Sequence, residues 1–138
     1  MDYNTLITKL KGTLESQVTE LKAVYDGFPD GNLSVYPCAT IYPLGKDNNF
    51  LDLRDIRRSV TVVIRIYVNL EDTENESQKV LRDIVDKVEN VIEKNITLDN
   101  TVDWIRPMQD RFSFSNQNAK IYYNDITCIA EMRFNRYA

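Results

Sequence analysis

Arg57-Arg58-Ser59-Val60-Thr61-Val62-Val63-Ile64-Arg65-Ile66-Tyr67-Val68-Asn69-Leu70 is the stretch on which the fold turns. Val60, Val62, Ile64, Ile66, Val68 and Leu70 fall on one side of an extended chain. Ser59, Thr61, Arg65 and Asn69 fall on the other, with Val63 and Tyr67 among them. A period of two sustained over this length predicts a long strand, one face on a core and the other wetter or partly covered. Its length suits an extended hairpin arm or a strand that continues past the domain body.

On its C-terminal side the period changes. Val80, Leu81, Ile84, Val85, Val88, Val91 and Ile92 recur at helical spacing, predicting a helix over 73–95. Asp72 or Thr73 is its N-cap, Thr73 and Glu76 fit a capping box, and Asn95 is a plausible stop. After a turn at Leu98-Asp99-Asn100, a short strand is expected over 101–106, broken by Pro107, then another over 111–115 carrying Phe112 and Phe114. A turn at Asn116-Gln117-Asn118 leads to a final strand over 119–136, with Ile126, Cys128, Ala130, Met132 and Phe134 on one face. Ala119, Ile121 and Tyr123 are out of phase with that face, which predicts a bulge near Asn124-Asp125.

On the N-terminal side, Leu6, Leu10, Leu14, Val18, Leu21 and Tyr25 predict an amphipathic helix over 2–25, ended by a turn at Gly27, Pro29 and Gly31. A strand is expected over 34–43, short or at a sheet edge because of Pro37 and Pro43, then a polar loop over 44–56. The predicted order is helix, strand, strand, helix, strand, strand, strand. That is an α+β domain: a mostly antiparallel sheet with two main helices packed on it, spanning residues 1–138 as one unit.

A length of 138 residues suits one domain, and 43% apolar with 28% charged residues is the composition of a globular chain. No apolar run is long enough to span a membrane, and the first residues lack a secretory signal pattern. Cys38 and Cys128 both lie in strand-like runs and read as buried thiols, with a single disulfide between neighbouring strands as the alternative. There is no histidine, which removes the commonest general base and metal ligand and leaves no Ser-His or Cys-His pair. The four glycines form no phosphate-binding loop. Asp47, Asp52 and Asp55 share one stretch, but Leu51 occupies the fifth position of a calcium-loop template starting at Asp47. Neither a metal nor a cofactor is expected. Trp104, Phe112 and Phe114 read as core or interface packing rather than a nucleic-acid platform.

Two surface features stand out. The 44–56 loop holds Phe50, Leu51 and Leu53 beside Asp47, Asp52, Arg54 and Asp55, apolar anchors with a charged rim. It reads either as an assembly surface ordered by a partner or as a loop folded on its own core. The stretch 71–94 carries eight acids against four bases, which accounts for the whole net charge of −4. Its exposed acids, including Glu74, Glu76, Asp83 and Asp86, form either a solvated helix face or a surface that repels polyanions. The chain reads as a structural subunit that assembles with copies of itself and with partners, and not as an enzyme.

The order and texture of these elements resemble the tail terminator proteins of long-tailed bacteriophages, the family that includes the phage lambda tail terminator. The resemblance is carried by the N-terminal helix leading into Val35-Tyr36-Pro37-Cys38-Ala39-Thr40-Ile41, by the 57–68 strand, and by the acidic Glu71-Asp72 before Val80-Leu81-Arg82-Asp83-Ile84-Val85-Asp86-Lys87-Val88. Thr97-Leu98-Asp99-Asn100, Val102-Asp103-Trp104-Ile105 and a closing strand ending at Phe134 complete it. It implies a homohexameric ring in the virion, at the head-proximal end of the tail and assembled in the host cytoplasm. Such a ring stops polymerisation of the tail tube protein and offers a docking surface to the head connector or stopper protein. DNA passes through its lumen without specific binding, and Glu74, Glu76, Asp83 and Asp86 become candidates to line that lumen. A connector-side neck or head-completion ring, and a small-molecule-binding α+β domain, remain alternatives.

Overall fold

The computed structural model describes residues 2–28, 35–69, 74–115 and 121–135. Its elements are α1 (Tyr3–Gln17), β1 (Ala23–Asp26), β2 (Cys38–Phe50), β3 (Asp55–Asn69), α2 (Glu74–Lys94), β4 (Trp104–Ser115) and β5 (Ile121–Asn135). The strands form one sheet in the order β1-β2-β3-β5-β4. β1 runs parallel to β2 and every other pairing is antiparallel. The α+β class and the mostly antiparallel sheet are as expected. The order of elements is not: three strands, rather than two, precede α2.

Alternation in β3 decides the layering. Val60, Val62, Ile64, Ile66 and Val68 are buried in the main core with Leu6, Leu10 and Leu14 of α1 and Leu81, Ile84, Val88 and Ile92 of α2. Both helices therefore cover the same face of the sheet. Across its middle, Ile41, Ile64 and Ile126 pair in one row through β2, β3 and β5, and all three are fully buried. The helices are held to each other and to the loops by polar ties: Lys87 to Glu20 at 2.7 Å, Lys9 to Asp99 at 2.7 Å, and Asn95 Nδ2 donating to Gln17 Oε1 at 3.0 Å.

Four expectations are corrected. The first helix ends at Gln17, where the Val18 N–H closes on the Leu14 carbonyl at 2.9 Å. The residues beyond it then form β1. Val18, Leu21 and Val24 still reach the core, so continuing the helix gained nothing over pairing with the edge of β2. Second, 44–50 is not loop but strand, paired to β3 down to Phe50↔Ile56 with a bulge between Pro43 and Gly45. Pro43 is tolerated because β1 covers β2 only over Cys38–Ile41, which leaves an edge from Tyr42 onward. Third, β4 runs unbroken through Pro107 as an edge strand, with a bulge between Pro107 and Gln109. Fourth, β5 has no bulge at Asn124-Asp125: its register with β3 is continuous from Asp55↔Asn135 to Asn69↔Ile121.

Within the α2 stripe, Val80 is an exception, 42% exposed near the N-terminal end of the helix. The Leu98-Asp99-Asn100 turn is present, all three residues at positive φ. Pro29, Gly31, Leu70, Thr73 and Asn116–Asn118, where the sequence places turns, a strand end and a helix cap, lie outside the described residues. Among the described residues, no helix is long and apolar enough to cross a membrane.

Candidate assembly surface

Strands β2 and β3 are joined by a turn at 51–54 that is closed by local hydrogen bonds. Asp52 Oδ1 accepts from the Arg54 N–H at 2.6 Å and the Asp55 N–H at 2.8 Å, and Leu51 N–H donates to the Asp55 carbonyl at 3.0 Å. The two N–H donors hold the Asp52 carboxyl below its usual range, so it is ionised at neutral pH. With the acid turned inward on the backbone, the apolar side chains face out: Leu53 is 83% exposed and Phe50 61%. Leu51 and Arg54 are exposed, as is Asp47 further along β2. Asp55 begins β3 and takes an ion pair from Arg133 at 3.1 Å. The seven residues Asp47, Phe50, Leu51, Asp52, Leu53, Arg54 and Asp55 are thus brought together at one end of the sheet. Within the chain the segment neither loops out nor folds back on the core: it pairs as a strand with β3.

Glu74 opens α2, and Glu76, Asp83 and Asp86 are exposed along it, opposite the stripe buried on the sheet. Glu89 behaves differently. It reaches β4, where it hydrogen-bonds to Asp110. Asp110 Oδ1 in turn accepts from Nδ2 of Asn124, a fully buried residue of β5, at 3.1 Å. Burial, then Asp110, and then Asp86 and Glu93 push the Glu89 carboxyl up from the ordinary 4.5 to about 7. Because this pKa is raised on folding, the protonated form is the one the fold stabilises. Stability from this group is fully present below about 4.5 and is lost as pH rises through about 7. Glu89→Gln is expected to remove that dependence and to stabilise the protein at pH 8 by about 1 kcal/mol, a value discounted for the half-exposed position. Urea denaturation of both proteins at pH 5 and pH 8 checks it; equal pH dependence in the two would refute the assignment.

The sheet face opposite the helices carries a cluster that sequence reasoning did not single out. Arg65 donates to both carboxylate oxygens of Asp125, at 2.6 Å and 2.9 Å, across the directly paired β3 and β5. The guanidinium lies 4.6 Å from the ring centre of Tyr123 and 5.7 Å from that of Tyr42. Tyr67 packs on Tyr123 and Phe28 on Tyr42. The signal was present, since Arg65, Tyr67, Tyr123 and Asp125 all occupy the phase opposite the core. What linked them was register, which no single strand reveals. Trp104 is on this face, where Arg106 lies 5.3 Å from its ring, whereas the β4 bulge turns Phe112 and Phe114 to the helix side. The three aromatics therefore form no common platform.

Cys38 and Cys128 are both buried free thiols, and they sit on opposite faces of the sheet. Burial pushes the Cys128 thiol up to about 12 and the Cys38 thiol up to about 11, so neither is a nucleophile at neutral pH. Among the described residues, no group of three or more acidic, Cys or His side chains is placed to hold a metal ion. A groove of about 740 Å³ runs along α1 beside the turn before β4, lined mostly by small hydroxyls and amides including Thr5, Thr8, Ser16 and Asn95. No protein-family model matches the chain, and no curated protein matches it.

Proposed function

We propose that this chain is a structural subunit of a homo-oligomeric ring of the phage tail terminator kind, which caps the tail tube, stops its polymerisation and docks to the head connector. The observation that carries the reading is the hairpin end: a hydrogen-bonded turn that presents Phe50, Leu51 and Leu53 to solvent beside the ionised Asp52. Apolar side chains on a turn already closed before any partner arrives cost less backbone entropy on docking, which is what makes an anchor effective. The measurement that tests it is the native mass of the purified protein, followed by its binding to tube ends and to connector rings. A closed oligomer that binds tube ends is expected. A strict monomer would overturn the reading, and binding to connector rings alone would move the protein to the connector side.

In this ring, the acidic face of α2 lines the channel. A wall of Glu76, Asp83 and Asp86, with Glu74 in the sequence at the start of the helix, is repeated around the axis and keeps duplex DNA off the protein, whereas basic residues would grip phosphates in a salt-dependent way. Changing these four to Lys is expected to leave rings that assemble but retain DNA, with retention falling steeply as salt is raised. Rings of that variant that release DNA as the parent does would show the face to be only solvated.

A further inference from the structure

We propose that the helix-free face of the sheet carries the socket into which the β2–β3 turn of a second copy inserts, with Leu53 as the knob. This rests on the ring reading above and names the partner of its hairpin end. The socket is a concavity of about 210 Å³ running across four strands. Tyr42 and Leu44 wall it on β2, Gln109 and Arg111 on β4, and Thr127 and Asp125 on β5, with Val63 of β3 between them.

Three observations join knob to socket. First, an apolar residue, Val63, lies at the base of the concavity, only 3% exposed, beside Tyr42, on which Phe28 of the segment after β1 packs. Leu44, made prominent by the β2 bulge, is exposed at the rim. Second, the sizes agree: a cavity of roughly 150 Å³ admits benzene, so this concavity admits a leucine side chain. Third, both signs occur on both sides: Asp52, ionised, and Arg54 flank Leu53 on the turn, and Arg111 and Asp125 flank the socket.

The chain cannot fill its own socket. β3 is continuous from Asp55 to Val63, which separates the turn from the socket by roughly 26 Å of extended strand. Knob and socket are different surfaces, so the contact is heterologous: each copy gives its turn to one neighbour and receives a turn from the other. Such contacts propagate head to tail and close into a ring when the rotation allows.

The test uses full-length chains and native mass. Leu53→Ser removes the knob and keeps the socket; Thr127→Trp fills the socket and keeps the knob. Each alone is expected to weaken association by at least about 30-fold and to run as a monomer. An equimolar mixture is expected to form a one-to-one dimer and nothing larger, because only one intact contact remains per pair. Arg111→Glu, at an exposed position and so independent of any folding defect in the Trp variant, is expected to weaken assembly in the same direction. If the parent protein assembles and both socket variants assemble equally well, the socket is wrong and the ring reading stands. The socket is also wrong if the mixture stays monomeric while the parent forms rings. A parent protein that is itself monomeric overturns both.

Discussion

Replacing Phe50 and Leu51 together by Ser is expected to abolish oligomer formation and leave a monomer with parental stability. Both side chains are exposed in the isolated chain, so their removal costs the fold within about 0.5 kcal/mol. The turn that holds them depends on backbone N–H groups bonding to Asp52 and on the Asp55 carbonyl, none of which the substitution touches. Loss of apolar anchors at an interface centre costs 2 kcal/mol or more per contact, about 30-fold in each dissociation constant. Ring closure multiplies the loss, because every subunit contributes the same contact. Light scattering reads the mass and thermal unfolding reads the fold. A double variant that still assembles as the parent does would place the subunit contact elsewhere.

Ile64→Ala is expected to show the opposite pattern, a large loss of stability from a residue that no partner touches. Ile64 is fully buried between Ile41 and Ile126 in the row beneath the helices. Removing three carbons from a site that cannot collapse costs about 4 kcal/mol, against a total stability of roughly 5–15 kcal/mol for a domain of this kind. The midpoint of thermal unfolding should fall by roughly 15 °C. A loss below about 1 kcal/mol would mean that the helices do not seal this row. The neighbouring Val63 points the other way, into the proposed socket, so adjacent residues of one strand separate folding from assembly.

The composition and periodicity of the chain were enough to settle the α+β class, the long β3 strand and the face it buries, the α2 stripe from Leu81 to Ile92, and the gathering of Phe50, Leu51 and Leu53 at one place. These are local properties: a period of two or 3.6 is written in the side chains themselves, and the hydrophobic effect acts on it whatever the neighbours are. Where residues had two local options, tertiary structure chose. Leu21 and Tyr25 fit a helical stripe, but the open edge of β2 offered Ala23–Asp26 a strand partner and the helix ended. Lys46 to Asn49 look like a loop because nothing in them is apolar, yet they pair with β3, whose backbone groups need partners along its whole length. Pro43 and Pro107 break strands in isolation and survive here because each sits at a bulge where the strand is an edge. Register was beyond sequence altogether: only the pairing of β3 with β5 brings Arg65 to Asp125, and only two bulges on opposite edges shape the hollow between Leu44 and Gln109. Periodicity assigns a residue to a face, whereas neighbours across strands follow from which edges meet and in what alignment, a choice made by the burial of the whole sheet at once.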